Sequence, residues 1–120
     1  MTNKGSTGLI RIIRATRFSW QGLCAAYRNE AAFRQETWLS CVMIPLGLYL
    51  GDNGIEKALL VSSVILLPLT EILNSALEAV VDRIGPEHHE LSGRAKDMAS
   101  AAVVLAFVLT TVVWVLVLFF

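Results

Sequence analysis

The chain has 120 residues, 55% of them hydrophobic, a mean hydropathy of +0.61 and a formal net charge of zero. That balance excludes an ordinary soluble domain, and the last 23 residues carry no charge at all, so residues 1–120 read as one small membrane-embedded domain. Cys24 and Cys41 have neither metal spacing nor a paired framework and are read as free thiols.

In chain order, residues 1–7 are polar and expected to be loose. Residues 8–29 follow a helical period that gathers Leu9, Ile10, Ile12, Ile13, Trp20, Leu23, Cys24 and Tyr27 on one face. Arg11, Arg14 and Arg17 interrupt the apolar residues, so this segment neither spans nor forms a cleavable signal. It suits an amphipathic helix lying in the headgroup layer, with Trp20 and Tyr27 as anchors and the start of the chain on the cytoplasmic side. Its other face groups Arg11, Arg14, Phe18 and Gln21, which fits either an isolated exposed ring or a platform for a planar ligand.

The heptapeptide EAAFRQE at 30–36 leads into a first span, 30–50, whose apolar run from Thr37 is too short to cross alone. Glu30 and Arg34 stand four apart, the spacing of a helical ion pair. Pro45 is a possible bend, and GDNG at 51–54 is a compact turn. A second span over 55–83, about 40 Å long, exceeds the hydrocarbon core and must project or tilt at its cytoplasmic end. On it Glu71, Asn74, Glu78 and Asp82 fall within about one third of the circumference, a polar stripe on an apolar rod. Pro68 lies just before that stripe, and Gly85-Pro86 ends the helix.

The charged segment 84–97 carries His88 and His89, whose spacing fits a solvated loop better than a zinc site. Ser92 is the expected cap of the third helix, whose free N–H groups would then lie beside Arg94 and Lys96 and favour phosphate. The third span, 98–120, opens with the small residues Ala99, Ser100, Ala101 and Ala102. Of the ten Lys and Arg residues, six precede Trp38, one is Lys57 and three lie between Arg83 and Lys96, so three spans put nine inside and one outside. The expectation is an all-α membrane protein with an N-terminal surface helix and three transmembrane helices, its N-terminus and the 82–97 loop cytoplasmic.

Ionisable residues in a span are costly and mark chemistry or transport, whereas a helix–helix seam would need only Asn74. Glu71 and Glu78 are about 10 Å apart along the axis and so have separate tasks. Glu71, in the drier position, suits a general base acting on a hydroxyl. Glu78, nearer water, suits a hard oxygen ligand for Mg2+, with Glu30 as the candidate second carboxylate and Asn74, Asp82 and Arg94 in support. These residues with Lys96 point to phosphoryl transfer from a nucleotide to a lipid hydroxyl. No GxxxxGK[ST] or kinase glycine loop is present, and three helices cannot enclose both substrates, so a homo-oligomer with sites between protomers is expected.

EAAFRQE at 30–36, EILNSALEAVVDRIG at 71–85 and HELSGRAKDM at 89–98 resemble the prokaryotic diacylglycerol kinase family, from about Arg11 into the third span. The resemblance implies a homotrimeric enzyme of the bacterial inner membrane that converts diacylglycerol and MgATP to phosphatidic acid, with no nucleic-acid partner. By position it implies Glu71 as base and Glu30 and Glu78 as metal ligands. Arg11, Phe18, Glu30, Glu78, Glu87, His88, His89, Lys96 and Asp97 match its nucleotide contacts. Its lipid contacts match Arg11, the surface-helix residues Ala15, Thr16, Arg17, Phe18, Ser19 and Trp20, the segment Ala31, Ala32, Phe33, Arg34 and Gln35, and Glu71 and Ser100. Phe18 and His88 stand where the family pattern has Tyr, which keeps a ring but removes a hydroxyl. The rivals are an undecaprenol kinase of the same family, a small multidrug transporter, which would need four spans, and a non-catalytic adaptor.

Overall fold

The computed structural model describes residues 7–120; Met1–Ser6, part of the segment expected to be loose, lie outside the described residues. Four helices follow one another: α1 (Gly8–Asn29), α2 (Ala31–Leu50), α3 (Gly54–Ile84) and α4 (Glu90–Phe119). A single residue, Glu30, separates α1 from α2, and its extended backbone (φ −118°, ψ 108°) turns the chain. Two of the carbonyls that the end of α1 leaves unpaired are taken by Arg34, whose guanidinium donates to Tyr27 O at 2.7 Å and Arg28 O at 3.0 Å. The spacing of an ion pair between Glu30 and Arg34 is therefore not used. The cation finds two acceptors at the negative end of a helix dipole instead.

The helix α3 is the axis of the molecule, packed against α2 on one side and α4 on the other. Its buried residues Leu60, Val64, Leu67, Glu71 and Ser75 recur every three or four positions, an inward stripe with Ser63 beside it. Asn53 starts it: its side chain accepts from Glu56 N at 3.0 Å, while the Glu56 carboxylate accepts from Asp52 N at 3.2 Å, so the GDNG turn is closed from both sides. Gly47 lets α2 come close, since a Cβ there would stand 3.1 Å from Leu60 Cβ and 3.5 Å from the Trp114 ring.

Between α3 and α4 the side chains reach across to backbone carbonyls. Thr110 Oγ1 donates to Ser63 O at 2.8 Å, and Trp114 Nε1 to Leu60 O at 3.2 Å. In an apolar surround such bonds are worth about 0.6 kcal/mol each and at most about 1.7. Thr110→Val and Trp114→Phe are each expected to lower resistance to unfolding in detergent by that order, and two variants as stable as wild type would show that packing alone holds the pair.

The helices α3 and α4, of 31 and 30 residues, are long and apolar enough to cross a membrane at about 45 Å each. The helix α2 has 20 residues, but Arg34, Gln35 and Glu36 in its first turns leave it short on apolarity, so two crossings rather than the expected three stand on length and composition. Much of the outward surface is apolar: Leu9 is 70% exposed, Trp20 68%, and Leu105 and Leu116 on α4 are open as well. The third helix also begins earlier than expected. His89, not Ser92, is its cap, with Nδ1 accepting from Leu91 N at 3.1 Å, and only Gly85–His89 separates α3 from α4.

Candidate functional site

The stripe on α3 is a bonded series. The Asn74 amide donates to Glu71 Oε1 at 3.5 Å and to Glu78 Oε1 at 3.3 Å, so one neutral side chain links two acids two turns apart. Burial grades along it: Glu71 is 7% exposed, Asn74 and Glu78 are half-buried and Asp82 is exposed. The helix thus carries its first acid into a dry seam and its last into water.

At the wet end Asp82 meets Lys96 of α4 at 2.7 Å. The hydrogen bond from Lys96 to Asp82, together with that carboxylate's charge, holds the ammonium above its ordinary value, so Lys96 remains a cation at any physiological pH. Because α4 already runs from Glu90, Lys96 and Asp97 lie in its second turn, and Arg94 is engaged with Glu90 at 3.4 Å. Both cations near the start of α4 are thus paired with carboxylates, and the helix start expected beside Ser92 lies at Glu90 instead.

At the dry end, one turn before Glu71, Pro68 forms part of the wall of a cavity of about 850 Å3. Trp20 and Tyr27 of α1 and Phe33, Cys41 and Pro45 of α2 close the rest, and the lining is almost wholly apolar. A cavity of that volume and character accepts a hydrocarbon chain. A smaller one, about 230 Å3, lies between Thr70, Asn74 and Ala102 on the α4 side.

The remaining residues expected at the site are more dispersed. Along α1, Arg11, Ala15, Thr16, Arg17 and Ser19 are exposed, with the Thr16 and Ser19 hydroxyls bonded back to Ile12 O and Ala15 O, whereas Phe18 is half-buried. Ala31, Ala32 and Gln35 are exposed on the first turns of α2, Phe33 is buried and Arg34 is held by the end of α1. Glu87, His88 and His89 form the short connection, and Ser100 is open on α4. Among the described residues no three His, Cys, Asp or Glu side chains converge as a metal site. Mg2+ nonetheless needs only one or two carboxylates, with phosphate and water as its other ligands, and Glu78, half-buried and oriented by Asn74, fits that donor set.

One acid was missed by sequence reasoning. Glu36 is buried at the α2–α3 interface, its Oε2 has no partner among the described residues, and the charge of Glu71 acts on it. Its row on α2, with Phe33, Ser40 and Gly47 buried beside it at helical spacing, was the available signal.

The chain is similar to known proteins over most of its length. The family model described as prokaryotic diacylglycerol kinase matches residues 17–118. The chain is 53% identical over 115 residues to a diacylglycerol kinase of Haemophilus influenzae, covering 96% of this chain and 98% of that one. It is 53% identical over 113 residues to that of Escherichia coli, covering 94% and 93%, and 48% identical over 115 residues to that of Pseudomonas aeruginosa, covering 96% and 94%.

Proposed function

The chain belongs to the prokaryotic diacylglycerol kinase family, and from that membership we propose that it transfers the γ-phosphoryl group of ATP to the free hydroxyl of diacylglycerol, giving phosphatidic acid. One observation carries the details: the bonded series from Glu71 through Asn74 to Glu78 runs along α3 from one turn past Pro68, in the wall of an apolar cavity, toward Asp82, which meets the Lys96 cation. A lipid with a hydroxyl headgroup fits the first environment and a nucleotide the second.

Glu71 takes the hydroxyl proton as the lipid oxygen bonds to the γ-phosphorus and the bond to the β-phosphate oxygen breaks, releasing ADP. Lys96 neutralises phosphate charge, displacing its contact with Asp82. Arg11, Phe18, Glu87, His88, His89 and Asp97 complete the nucleotide contacts. Arg11, Ala15 to Trp20, Ala31 to Gln35 and Ser100 border the lipid, with the Arg34 guanidinium itself occupied as the clasp between α1 and α2. Glu30 and Glu78 would hold Mg2+, which supplies positive charge to the transferring phosphoryl group.

The same reading makes α2 a third crossing whose charged first turns sit in the cytoplasmic interface of a bacterial inner membrane, with α1 lying along it. Nine of ten basic residues then face the cytoplasm. Three helices are too few to enclose both a nucleotide and a lipid, which supports a homotrimer in which Glu30 and Glu78 come from different protomers. Purified protein in mixed micelles is expected to form radiolabelled phosphatidic acid from ATP and diacylglycerol, and to prefer diacylglycerol when undecaprenol competes. Phosphorylation of undecaprenol alone would move the chain to the other lipid alcohol, and no phosphorylation of either would overturn the kinase reading.

A further inference from the structure

Glu36 is a buried acid that the reaction as described leaves without a task. It is 7% exposed on the face that α2 turns to α3, its Oε2 is unpartnered among the described residues, and Glu71 across the seam is 7% exposed. The Ser75 hydroxyl, one turn along α3 from Glu71, is also buried without a partner. Among the described residues, Glu71 is the titratable group acting on Glu36 from the helices packed on α2.

Two carboxyl groups in one dry seam cannot both be ionised, because repulsion adds to the desolvation of the second charge, so the pair keeps a proton. Its seat follows from the hydrogen bonds. Glu71 accepts the Asn74 amide on Oε1, while the bare Oε2 of Glu36 has no donor to stabilise a charge, so Glu36 holds the proton. We propose that Glu36 is a positioning residue for the base: its protonated carboxyl donates across the seam toward Glu71 and holds Glu71 aimed at the substrate hydroxyl. When Glu71 takes the hydroxyl proton the pair carries two protons, and it returns to one by giving a proton up to water.

The inference rests on Glu71 being the base, and steady-state kinetics of the full chain in mixed micelles separate the two. Glu36→Leu, which removes the donor, is expected to lower kcat about ten- to a hundredfold with the KM values for ATP and diacylglycerol within about threefold of wild type. Glu36→Gln keeps an N–H donor and is expected to hold kcat within about threefold at neutral pH, but with its acid limb displaced because the neighbour no longer titrates. A wild-type kcat in Glu36→Leu, a Glu36→Gln as impaired as Glu36→Leu, or an acid limb that superposes on wild type would each overturn the proposal. Where Glu36→Leu does not fold, the acid limb of Glu36→Gln decides. Normal turnover by Glu71→Gln removes the base itself, whereas an inactive Glu71→Gln beside a normal Glu36→Leu removes only the role of Glu36.

Discussion

Glu71→Gln is expected to lower kcat by about 10²- to 10⁴-fold, the range that a positioned general base contributes. The substitution is close to isosteric, and its amide oxygen still accepts the Asn74 N–H that now lies 3.5 Å from Glu71 Oε1, so the series along α3 keeps its geometry. What disappears is the lone pair that can take the lipid proton. Binding of MgATP, at the other end of the series, is expected to stay within about threefold of wild type, because Glu78 and Lys96 are untouched. Equilibrium nucleotide binding measured beside single-turnover phosphorylation distinguishes the two effects, and a variant that turns over normally would take Glu71 out of the chemistry.

The second large effect falls on nucleotide binding. Glu78→Gln leaves a partner for the Asn74 amide but removes the charge that suits Mg2+, so the KM for ATP is expected to rise about tenfold or more and to recover in part as Mg2+ is raised. Titrating ATP at several Mg2+ concentrations checks this. Curves that track wild type at every concentration would mean that Glu78 does not hold the ion.

The polar stripe was legible because its four residues obey the helical period on a long apolar helix, and their alignment follows from geometry that no tertiary contact has to supply. What depended on packing was less so. Glu36 at the head of an apolar run reads as an interfacial charge, and only the face that α2 turns toward α3 buries it. Arg34 obeyed the spacing of an ion pair with Glu30, yet the end of α1, which spacing does not weigh, offered it two carbonyls. The start of α4 was displaced because Ser92 is the stronger cap by residue type, while His89, at the end of a five-residue connection, was already positioned to accept the Leu91 N–H.

The short connection Gly85–His89 also bears on how the chain avoids assembling wrongly. Closing so small a loop has little entropic cost, so α3 and α4 meet readily, and two apolar helices could in principle slide past each other by a turn of about 5.4 Å with much of their surface still covered. Three contacts spread along the pair penalise that slip together: Lys96 with Asp82 at one end, Thr110 with Ser63 further in and Trp114 with Leu60 beyond it. A displaced pairing leaves the indole N–H without its acceptor and gives up the other two contacts at once. The helical hairpin therefore proofreads its own alignment before any catalytic residue is required to function.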